Sequence, residues 1–342
     1  MRRLLAVLLT LVAILAAGWL ALRRPDIPFD TLEAAYANAQ SQLAVAGETR
    51  RIHFRDQGPE DAPTLVLVHG FSASLHTWTP WVQRLTDDYR VVSLDLPGHG
   101  LTRGFDVEEV GIDTFVEAID IVADELGLER FTLVGSSMGG NTAWTYALER
   151  PERLDGLVLV AASGWPRSDE EMKSRPFVFR LLETGVARAI VKDLDMSSMI
   201  RSGLEDSFAD PSLVSDAMVE RYSALSRAPG HRAALLRLVS VSDRTPATPE
   251  KMQALALPVL VMQGAEDKLV PPRHGRAFAD AIPGAQLQWY ENVGHLPQEE
   301  IAARSAADLR AFLESRVYPA VAGVESEDAG AGAPTGGDGV QP

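Results

Sequence analysis

The sequence predicts an α/β fold with a largely parallel sheet and helices on both of its faces. Short apolar runs alternate with segments of helical periodicity along residues 51–165 and again after residue 250, which is typical of βαβ units. Most of these runs are nearly continuous in branched aliphatic residues, as expected for strands covered on both faces. A Gly-x-Ser-x-Gly motif at residues 135–139 separates one run from a helical segment, which indicates a tight strand-to-helix turn.

Seven apolar runs are predicted to be strands of this sheet, the first of them more exposed than the others. They are residues 51–54, 64–68, 90–94, 131–134, 157–160, 258–262 and 286–290. Helical periodicity predicts helices at residues 79–85, 112–126, 138–149, 273–281 and 299–315. Strands and helices therefore follow one another in the order that builds a parallel sheet.

The regular alternation breaks between Trp165 and Glu250. This insertion is helical in pattern, has no clear strand and contains four of the eight methionines. A segment of this length between two strands exceeds an ordinary loop. We therefore predict a helical cap over residues 166–250, lying above the carboxyl ends of the strands, where ligands bind in open α/β sheets.

The amino-terminal segment is an unbroken apolar stretch, Leu4–Leu22, with two arginines on each side. As a helix it would be about 28 Å long, enough to cross the hydrocarbon core of a bilayer. Large residues stand near its end, where a cleaved signal peptide would have small ones. We predict an uncleaved membrane anchor, with signal cleavage and secretion as the alternative. The slight excess of positive charge before the stretch favours a periplasmic or extracellular domain.

These observations divide the chain into six parts. They are an anchor or signal segment at 1–24, a linker at 25–50, the first part of the core at 51–165, the cap at 166–250, the second part of the core at 251–317 and an acidic tail at 318–342. The linker is rich in Ala and Gln and has room for a short helix. The tail consists mainly of Gly, Ala, Glu, Asp and Pro, so we expect it to be disordered.

Composition excludes several classes of function. The formal net charge of −15 disfavours nucleic acid as a partner, because such binding depends on neutralising phosphates. The chain has no cysteine, which rules out disulfides, thiolate nucleophiles and Cys-ligated zinc. The His69-Gly70 pair has no partner ligands at a suitable spacing for a metal. We expect neither a metal nor an organic cofactor.

Ser137 is the predicted nucleophile. It occupies the centre of Gly135-Ser136-Ser137-Met138-Gly139, between an apolar run and a helical segment. In such a turn the serine hydroxyl is lifted clear of the backbone, and glycines tolerate the crowding on either side. The N-terminus of the following helix would face negative charge that develops above the serine.

A serine hydroxyl needs a base to accept its proton and a carboxylate to orient that base. His295 is the predicted base, because it follows the last strand and a glycine and precedes the final helix. Asp267 is the predicted acid, in the loop after the strand at 258–262. Glu266 is its nearest rival, and Asp243 is a more distant one. The order Ser, Asp, His matches that of serine hydrolases with a strand-to-helix nucleophile turn.

Two backbone N–H groups are predicted to form an oxyanion hole. They belong to Met138, the residue after the nucleophile, and to Phe71, in the loop after an early strand. This assignment rests on position in the chain, since the side chains matter less than the N–H groups. His69 is predicted to brace the loop that contains Phe71.

With these motifs the chain resembles the α/β-hydrolase fold family, in the branch with one cap inserted after the sixth strand. The resemblance spans about residues 51–317. Its motifs are His69-Gly70-Phe71, Asp95-Leu96-Pro97-Gly98-His99-Gly100, Gly135-Ser136-Ser137-Met138-Gly139-Gly140, Gly264-Ala265-Glu266-Asp267 and Gly294-His295. The resemblance implies an eight-stranded, mostly parallel sheet and gives Asp95 a structural role. Haloalkane dehalogenases and epoxide hydrolases of this family have an aspartate nucleophile, so a serine at 137 disfavours both activities.

The expected function is that of a membrane-anchored serine hydrolase that cleaves carboxylic esters, in the manner of an esterase or lipase. The substrate would be a small ester or a lipid, with acylglycerols among the candidates. The alternatives on the same fold are a carbon–carbon bond hydrolase, a cofactor-free haloperoxidase and an acyltransferase. A non-catalytic binding module is the alternative of another class. Phe177 and Phe179 are weak candidates for the substrate pocket, and packing of the cap on the core is the better explanation of them.

Overall fold

A computed structural model describes residues 2–168, 170–171, 192–241 and 246–319. Its centre is a sheet of eight strands in the order β1-β2-β4-β3-β5-β6-β7-β8. The strands are β1 Ser41–Ala46, β2 Arg50–Gln57, β3 Thr64–Val68, β4 Arg90–Leu94, β5 Phe131–Ser136, β6 Leu154–Val160, β7 Val259–Gly264 and β8 Gln286–Tyr290.

The prediction of a mostly parallel sheet is confirmed. All pairs from β4 through β8 are parallel, whereas β1 with β2 and β2 with β4 are antiparallel. Every residue of β3, β4, β5 and β7 is buried, which explains their unbroken apolar sequences. Parallel strands end at one edge of the sheet, and that edge carries the loops after β3, β5, β7 and β8.

The sequence analysis did not predict β1. It lies within the segment interpreted as a linker at 25–50, together with the helix Phe29–Tyr36. Its residues Ser-Gln-Leu-Ala-Val-Ala bury only Ala44, because β1 is the outer strand and faces solvent along most of its length. A strand with so little buried surface has no clear apolar alternation to detect.

The described residues form helices before, between and after the strands. They are α1 Arg2–Leu22, α2 Phe29–Tyr36, α3 Thr79–Leu85, α4 Ile112–Glu125, α5 Met138–Glu149, α6 Ser197–Ser207, α7 Asp216–Ser226, α8 His231–Val241, α9 Pro249–Gln253, α10 Arg273–Ala281, α11 Pro297–Glu300 and α12 Ala302–Phe312. A π-helical turn, Leu313–Val317, follows α12.

The core consists of two clusters, one on each face of the sheet. Helices α4, α5 and α10 pack against one face, and α3 and α12 pack against the other. Alternate residues of β3 point to opposite faces, so Val66 lies in the first cluster and Leu65 in the second. Helices on both faces hold the strands and fix the positions of the loops at their carboxyl ends.

The chain between β6 and β7 forms an insertion whose described part is helical, from α6 to α9. Leu204, Phe208 and Tyr222 of this insertion pack with Leu296 in a separate small cluster. The insertion therefore meets the loop after β8 directly. As a unit, the cap at 166–250 stays a prediction.

Helix α1 stands apart from the core. Its window Leu5–Leu22 has a mean hydropathy of 2.6, and none of it is buried by the rest of the protein. By length and composition this helix could cross a membrane, and a signal sequence would have the same properties.

Candidate active site

Ser137 occupies a strained turn between the last residue of β5 and the first residue of α5. Its φ is 55° and its ψ is −116°, a combination that non-glycine residues rarely adopt. A Cβ on Gly139 would lie 2.3 Å from the carbonyl oxygen of Val68, and one on Gly135 would lie 2.1 Å from that of Gly139. Both glycines are thus required for the strand and the helix to approach each other around Ser137.

Backbone hydrogen bonds hold this strained residue on both sides. The Ser137 N–H donates to the Val160 carbonyl of β6 at 2.9 Å. The Ser137 carbonyl accepts from the N–H groups of Asn141 at 3.1 Å and Ser163 at 3.0 Å. The Ser163 hydroxyl also lies 3.2 Å from this carbonyl. Four hydrogen bonds therefore fix the backbone of Ser137. Groups of β6, of α5 and of the loop after β6 therefore maintain the strained conformation.

Asp267 and His295 form a buried pair at the carboxyl ends of β7 and β8. The Asp267 Oδ2 accepts from His295 Nδ1 at 2.8 Å and from Gln263 Nε2 at 3.1 Å. Its Oδ1 accepts from the N–H groups of Leu269 and Val270, each at 2.9 Å. The side chain of Asp267 has no exposed surface. A carboxylate held in this way keeps the proton of neutral His295 on Nδ1 and leaves Nε2 as an acceptor.

The loop of His295 is bonded to the insertion. The His295 N–H donates to the Ser207 carbonyl, at the end of α6, at 2.7 Å. The Glu300 carboxylate accepts from the Gly294 N–H at 2.6 Å and from the N–H groups of residues 209–210 at 2.9 and 3.2 Å. One carboxylate thus joins the loop before His295 to the turn after α6.

A chain of polar side chains connects the loop of His295 to the turn of Ser137. Gln298 Nε2 lies 3.2 Å from the Thr77 hydroxyl and 3.4 Å from that of Ser136, the residue before Ser137. The Thr77 hydroxyl also donates to Glu299 Oε1 at 2.5 Å. Burial raises the pKa of Glu299, and the hydrogen bond from Thr77 opposes the rise. The segment after His295 therefore packs directly behind the nucleophile turn.

The loop after β3 lies beside Ser137. A Cβ on Gly70 would be 3.0 Å from the Ser137 Cβ and 3.6 Å from its Oγ. Ser72 has a φ of 59°, which turns the loop sharply. Among the hydrogen bonds of the described residues, none uses the N–H of Phe71 or of Met138 as donor. Two unsatisfied N–H groups thus flank the turn of Ser137.

His69 holds this loop in place. It is buried, and its Nδ1 donates to the Gly70 carbonyl at 2.7 Å while its Nε2 accepts from the Leu96 N–H at 3.0 Å. Burial lowers the pKa of His69, which agrees with a neutral ring. The ring fixes the direction of the Gly70 carbonyl and therefore of the peptide that carries the Phe71 N–H.

Asp95 follows β4, and its hydrogen-bond partners include neither Asp267 nor His295. Its carboxylate accepts from His53 Nδ1 at 2.7 Å and from the N–H groups of Leu75 at 2.8 Å and Leu101 at 2.9 Å. Burial raises the pKa of Asp95, but these bonds outweigh it and hold the pKa well below its usual range. The carboxylate stabilises the turns that follow β3 and β4.

Three residues of the sequence analysis lie outside the described residues: Phe177, Phe179 and Asp243. The other rival acid, Glu266, is exposed. Among the described residues, no group of three or more His, Cys, Asp or Glu side chains is arranged to hold a metal ion.

The sequence analysis missed two groups that hold His295, the Ser207 carbonyl and the Glu300 carboxylate. A carbonyl has no signature in a sequence. Glu300 stands five residues after His295 in Pro-Gln-Glu-Glu, where the sequence does not indicate which of the two adjacent acids contacts the loop of His295. Their contact partners are about 90 residues away in the chain, so local pattern could not find them.

Residues 63–301 match a family model described as the alpha/beta hydrolase fold. The monoacylglycerol lipase ABHD6 of Bos taurus is 28% identical over 266 residues, which cover 75% of this chain and 77% of that protein. The dihydrolipoyllysine-residue acetyltransferase component of the acetoin cleaving system of Pseudomonas putida is 29% identical over 288 residues, covering 82% and 71% of the two chains.

A solved structure described as a membrane phospholipase A, a bacterial virulence factor, superposes with a TM-score of 0.66 at 25% sequence identity. The match covers 92% of this chain and 98% of that one. The similarity therefore extends beyond residues 63–301 toward the ends of the chain.

Proposed function

This chain belongs to the α/β-hydrolase fold family, and we propose that it is a membrane-anchored serine hydrolase that cleaves carboxylic esters. One observation carries the proposal. A serine in a strained strand-to-helix turn, a buried Asp267–His295 pair and two free N–H groups meet at the same edge of the sheet. Each of the three parts has a defined task in acyl transfer.

In the proposed reaction Ser137 Oγ attacks the ester carbonyl carbon, and its proton passes to His295 Nε2. The carbonyl oxygen becomes an oxyanion, which the N–H groups of Phe71 and Met138 stabilise. The intermediate collapses as the bond to the alcohol oxygen breaks, and His295 returns the proton to the departing alcohol. Water then attacks the acyl-enzyme by the same route. Asp267 holds the ring of His295 and stabilises its charged form.

The substrate is proposed to be an ester lipid, with acylglycerols as the first candidates. Two relatives support this, one described as a monoacylglycerol lipase and the other as a membrane phospholipase A. The exposed apolar helix α1 supports anchoring in a membrane, where such substrates are found. The charge distribution around the segment favours a periplasmic or extracellular catalytic domain, with secretion after signal cleavage as the alternative.

Acyl transfer to an acceptor other than water is the second candidate. A relative described as an acetyltransferase component matches most of this chain. The two reactions share the acyl-enzyme and differ in what attacks it. Product analysis in the presence of added alcohols or thiols separates them, since a transferase would form the new ester in preference to the free acid.

The test of the proposal is the substitution Ser137→Ala, measured on p-nitrophenyl esters of increasing acyl length. We expect turnover to fall by about 10³-fold or more while the protein remains folded. A fluorophosphonate probe should label the parent and miss this variant. Ser136→Ala is the matched control, because Ser136 is the buried neighbour, and it should still be labelled. Labelling of Ser137→Ala would contradict the assignment of the nucleophile.

A further inference from the structure

The end of α1 is bonded to the insertion. After Leu22 the chain runs along residues 193–195, where the Arg24 N–H donates to the Asp193 carbonyl at 2.8 Å and the Asp195 N–H donates to the Leu22 carbonyl at 3.1 Å. Farther on, the Ile27 N–H donates to a carbonyl between α7 and α8 at 2.8 Å. The insertion therefore lies at the level at which the apolar helix ends.

Positively charged side chains gather at this junction, in a protein whose formal net charge is −15. We call them the basic collar: Arg23, Arg24, Lys192, Arg227 and Arg232. Three carboxylates accompany them within the same short segments: Asp26, Asp193 and Asp195. Among the described residues of these segments, positive groups therefore outnumber negative ones by two.

Only two members of the collar form ion pairs among the described residues. Arg24 pairs with Asp195 at 3.1 Å, and Arg232 pairs with Asp26 at 2.7 Å. Arg232 is buried, and its Nε has no hydrogen-bond partner among the described residues. The paired arginines fix the backbone of the junction and still leave donor capacity unused.

Three members, Arg23, Lys192 and Arg227, form no ion pair with a carboxylate of the described residues. The guanidinium of Arg227 donates instead to the Pro25 carbonyl, from Nε at 3.1 Å and from Nη2 at 2.9 Å. Burial, followed by the positive charges of Arg232 and Arg24, lowers the pKa of Arg227, and the carboxylates of Asp195 and Asp26 offset only part of this effect. The arginines are therefore close enough to repel one another, and an anion would relieve this repulsion.

The collar lies where lipid headgroups would be. Arg23 follows the last residue of the apolar window directly, and its guanidinium stacks 5.3 Å from the ring of Trp19. Tryptophan and arginine at the end of an apolar helix mark the boundary between hydrocarbon and headgroups. If α1 spans the bilayer, the unpaired cations meet the phosphates of the adjacent leaflet.

We propose that the basic collar is a binding site for the phosphate of an anionic phospholipid headgroup. Guanidinium groups suit this ligand, because they present paired N–H donors to phosphate oxygens. The proposal rests on the membrane anchoring in the proposed function, and it is independent of the ester chemistry. It adds a lipid contact on the domain itself to the contact made by α1.

The site would also set the position of the catalytic loops relative to the membrane. Helix α6 starts just after Asp195 and ends at Ser207, whose carbonyl accepts from the His295 N–H. Its 11 residues span about 17 Å. A collar that rests on headgroups therefore keeps the loop of His295 within about that distance of the bilayer surface.

The experiment uses the full-length protein in a non-ionic detergent and measures its thermal unfolding midpoint. Ether-linked phosphatidylglycerol is the probe, and ether-linked phosphatidylcholine with the same chains is the neutral reference. Neither lipid has a carboxylic ester for the enzyme to cleave. We expect phosphatidylglycerol to raise the midpoint at lower concentration, and we expect salt to weaken this effect.

The double variant Lys192→Gln/Arg227→Gln should weaken the apparent affinity for phosphatidylglycerol by about 25-fold, taking about fivefold for each cation. The control is Arg130→Gln/Lys251→Gln, which also removes one Arg and one Lys, near the amino ends of the strands. Both side chains donate to backbone carbonyls, and Arg130 in addition pairs with Asp155 at 2.6 Å. This control should bind like the parent. Both variants should hydrolyse a soluble ester normally.

The outcomes distinguish the lipid site from a free-phosphate site and from the proposed ester cleavage. Equal effects of the two lipids, or a double variant that binds like the parent, would overturn it. Competition by inorganic phosphate at the same concentration as the lipid would show a free-phosphate site instead. A protein that resists carbonate extraction, cleaves esters and lacks lipid selectivity would refute the collar alone. A protein that binds phosphatidylglycerol selectively but cleaves no ester would refute only the proposed reaction.

Discussion

The substitution Asp267→Asn tests the role of the carboxylate that holds His295. The Asp267 side chain accepts four hydrogen bonds, two at each oxygen. An asparagine offers one oxygen and one NH₂ group, so it can accept from only one of the two pairs of donors. The two backbone N–H groups at Oδ1 cannot rotate away, and they will take the amide oxygen.

The NH₂ group of the asparagine would then face His295 Nδ1. The ring has to accept at Nδ1 and carry its proton on Nε2, the atom that should receive the proton of Ser137. In serine proteases the equivalent change lowers kcat by about 10⁴-fold. That factor corresponds to about 5.5 kcal/mol of activation free energy. The loss of stability should be smaller, about 1–3 kcal/mol, because Gln263 Nε2 keeps its bond to the Gly264 carbonyl.

The assay is the kcat for a short, soluble p-nitrophenyl ester, together with the thermal unfolding midpoint of each variant. Glu266→Gln is the matched control, since it removes an exposed negative charge from the adjacent position. It should retain near-parental kcat. A kcat for Asp267→Asn within tenfold of the parent would refute the reasoning. So would Asp243→Asn as the more damaging change, because the orienting acid would then lie in the insertion.

Two further predictions concern the surroundings of the site. In Glu300→Gln, an NH₂ group would face N–H donors that share a carboxylate in the parent protein. The loop of His295 should then be less well positioned, so kcat should fall by about 10-fold to 100-fold with little change in KM. An unchanged kcat in steady-state assays would contradict a positioning role for Glu300. Burial lowers the pKa of His274 and of His76 to about 4 each. Below about pH 6.5 the unfolded chain therefore binds protons that the folded protein excludes, and stability should fall between about pH 7 and pH 4. His274→Gln should reduce this slope in thermal melts at several pH values, and an identical slope would refute its contribution.

Much of the fold could be predicted because its strands are buried on both faces. Their sequences are continuously apolar, and the helices between them show a clear periodicity. The structure gives α5 the bounds predicted for it, 138–149, because the glycines around Ser137 mark where the strand must end. The outer strand β1 was missed for the opposite reason, since little of its surface is buried.

The candidate site also contains residues that the sequence could predict and groups that it could not. Ser137, Asp267 and His295 follow strands in the sequence, so their shared edge of the sheet follows from topology alone. Their role in catalysis stays a prediction. The groups that hold His295 could not be found in this way. The Ser207 carbonyl bonds to His295, and the Glu300 carboxylate bonds to Ala209; each pair is about 90 residues apart in the sequence. Such contacts depend on how the insertion packs on the core.

The bond between Ser207 and His295 limits how freely the insertion can vary. The proposed chemistry uses loops after β3, β5, β7 and β8, which the buried strands hold in place. The insertion borders the loop of His295, so under the proposed function we expect it to contribute substrate contacts. We therefore expect exposed side chains of α6 to tolerate change without altering the reaction, whereas a change in its length would move the Ser207 carbonyl away from the His295 N–H. A one-turn deletion in α6 would displace its end by about 5 Å, far more than a hydrogen bond tolerates. Specificity and catalysis are thus separable by substitution in this protein, but not by shortening the helix that joins them.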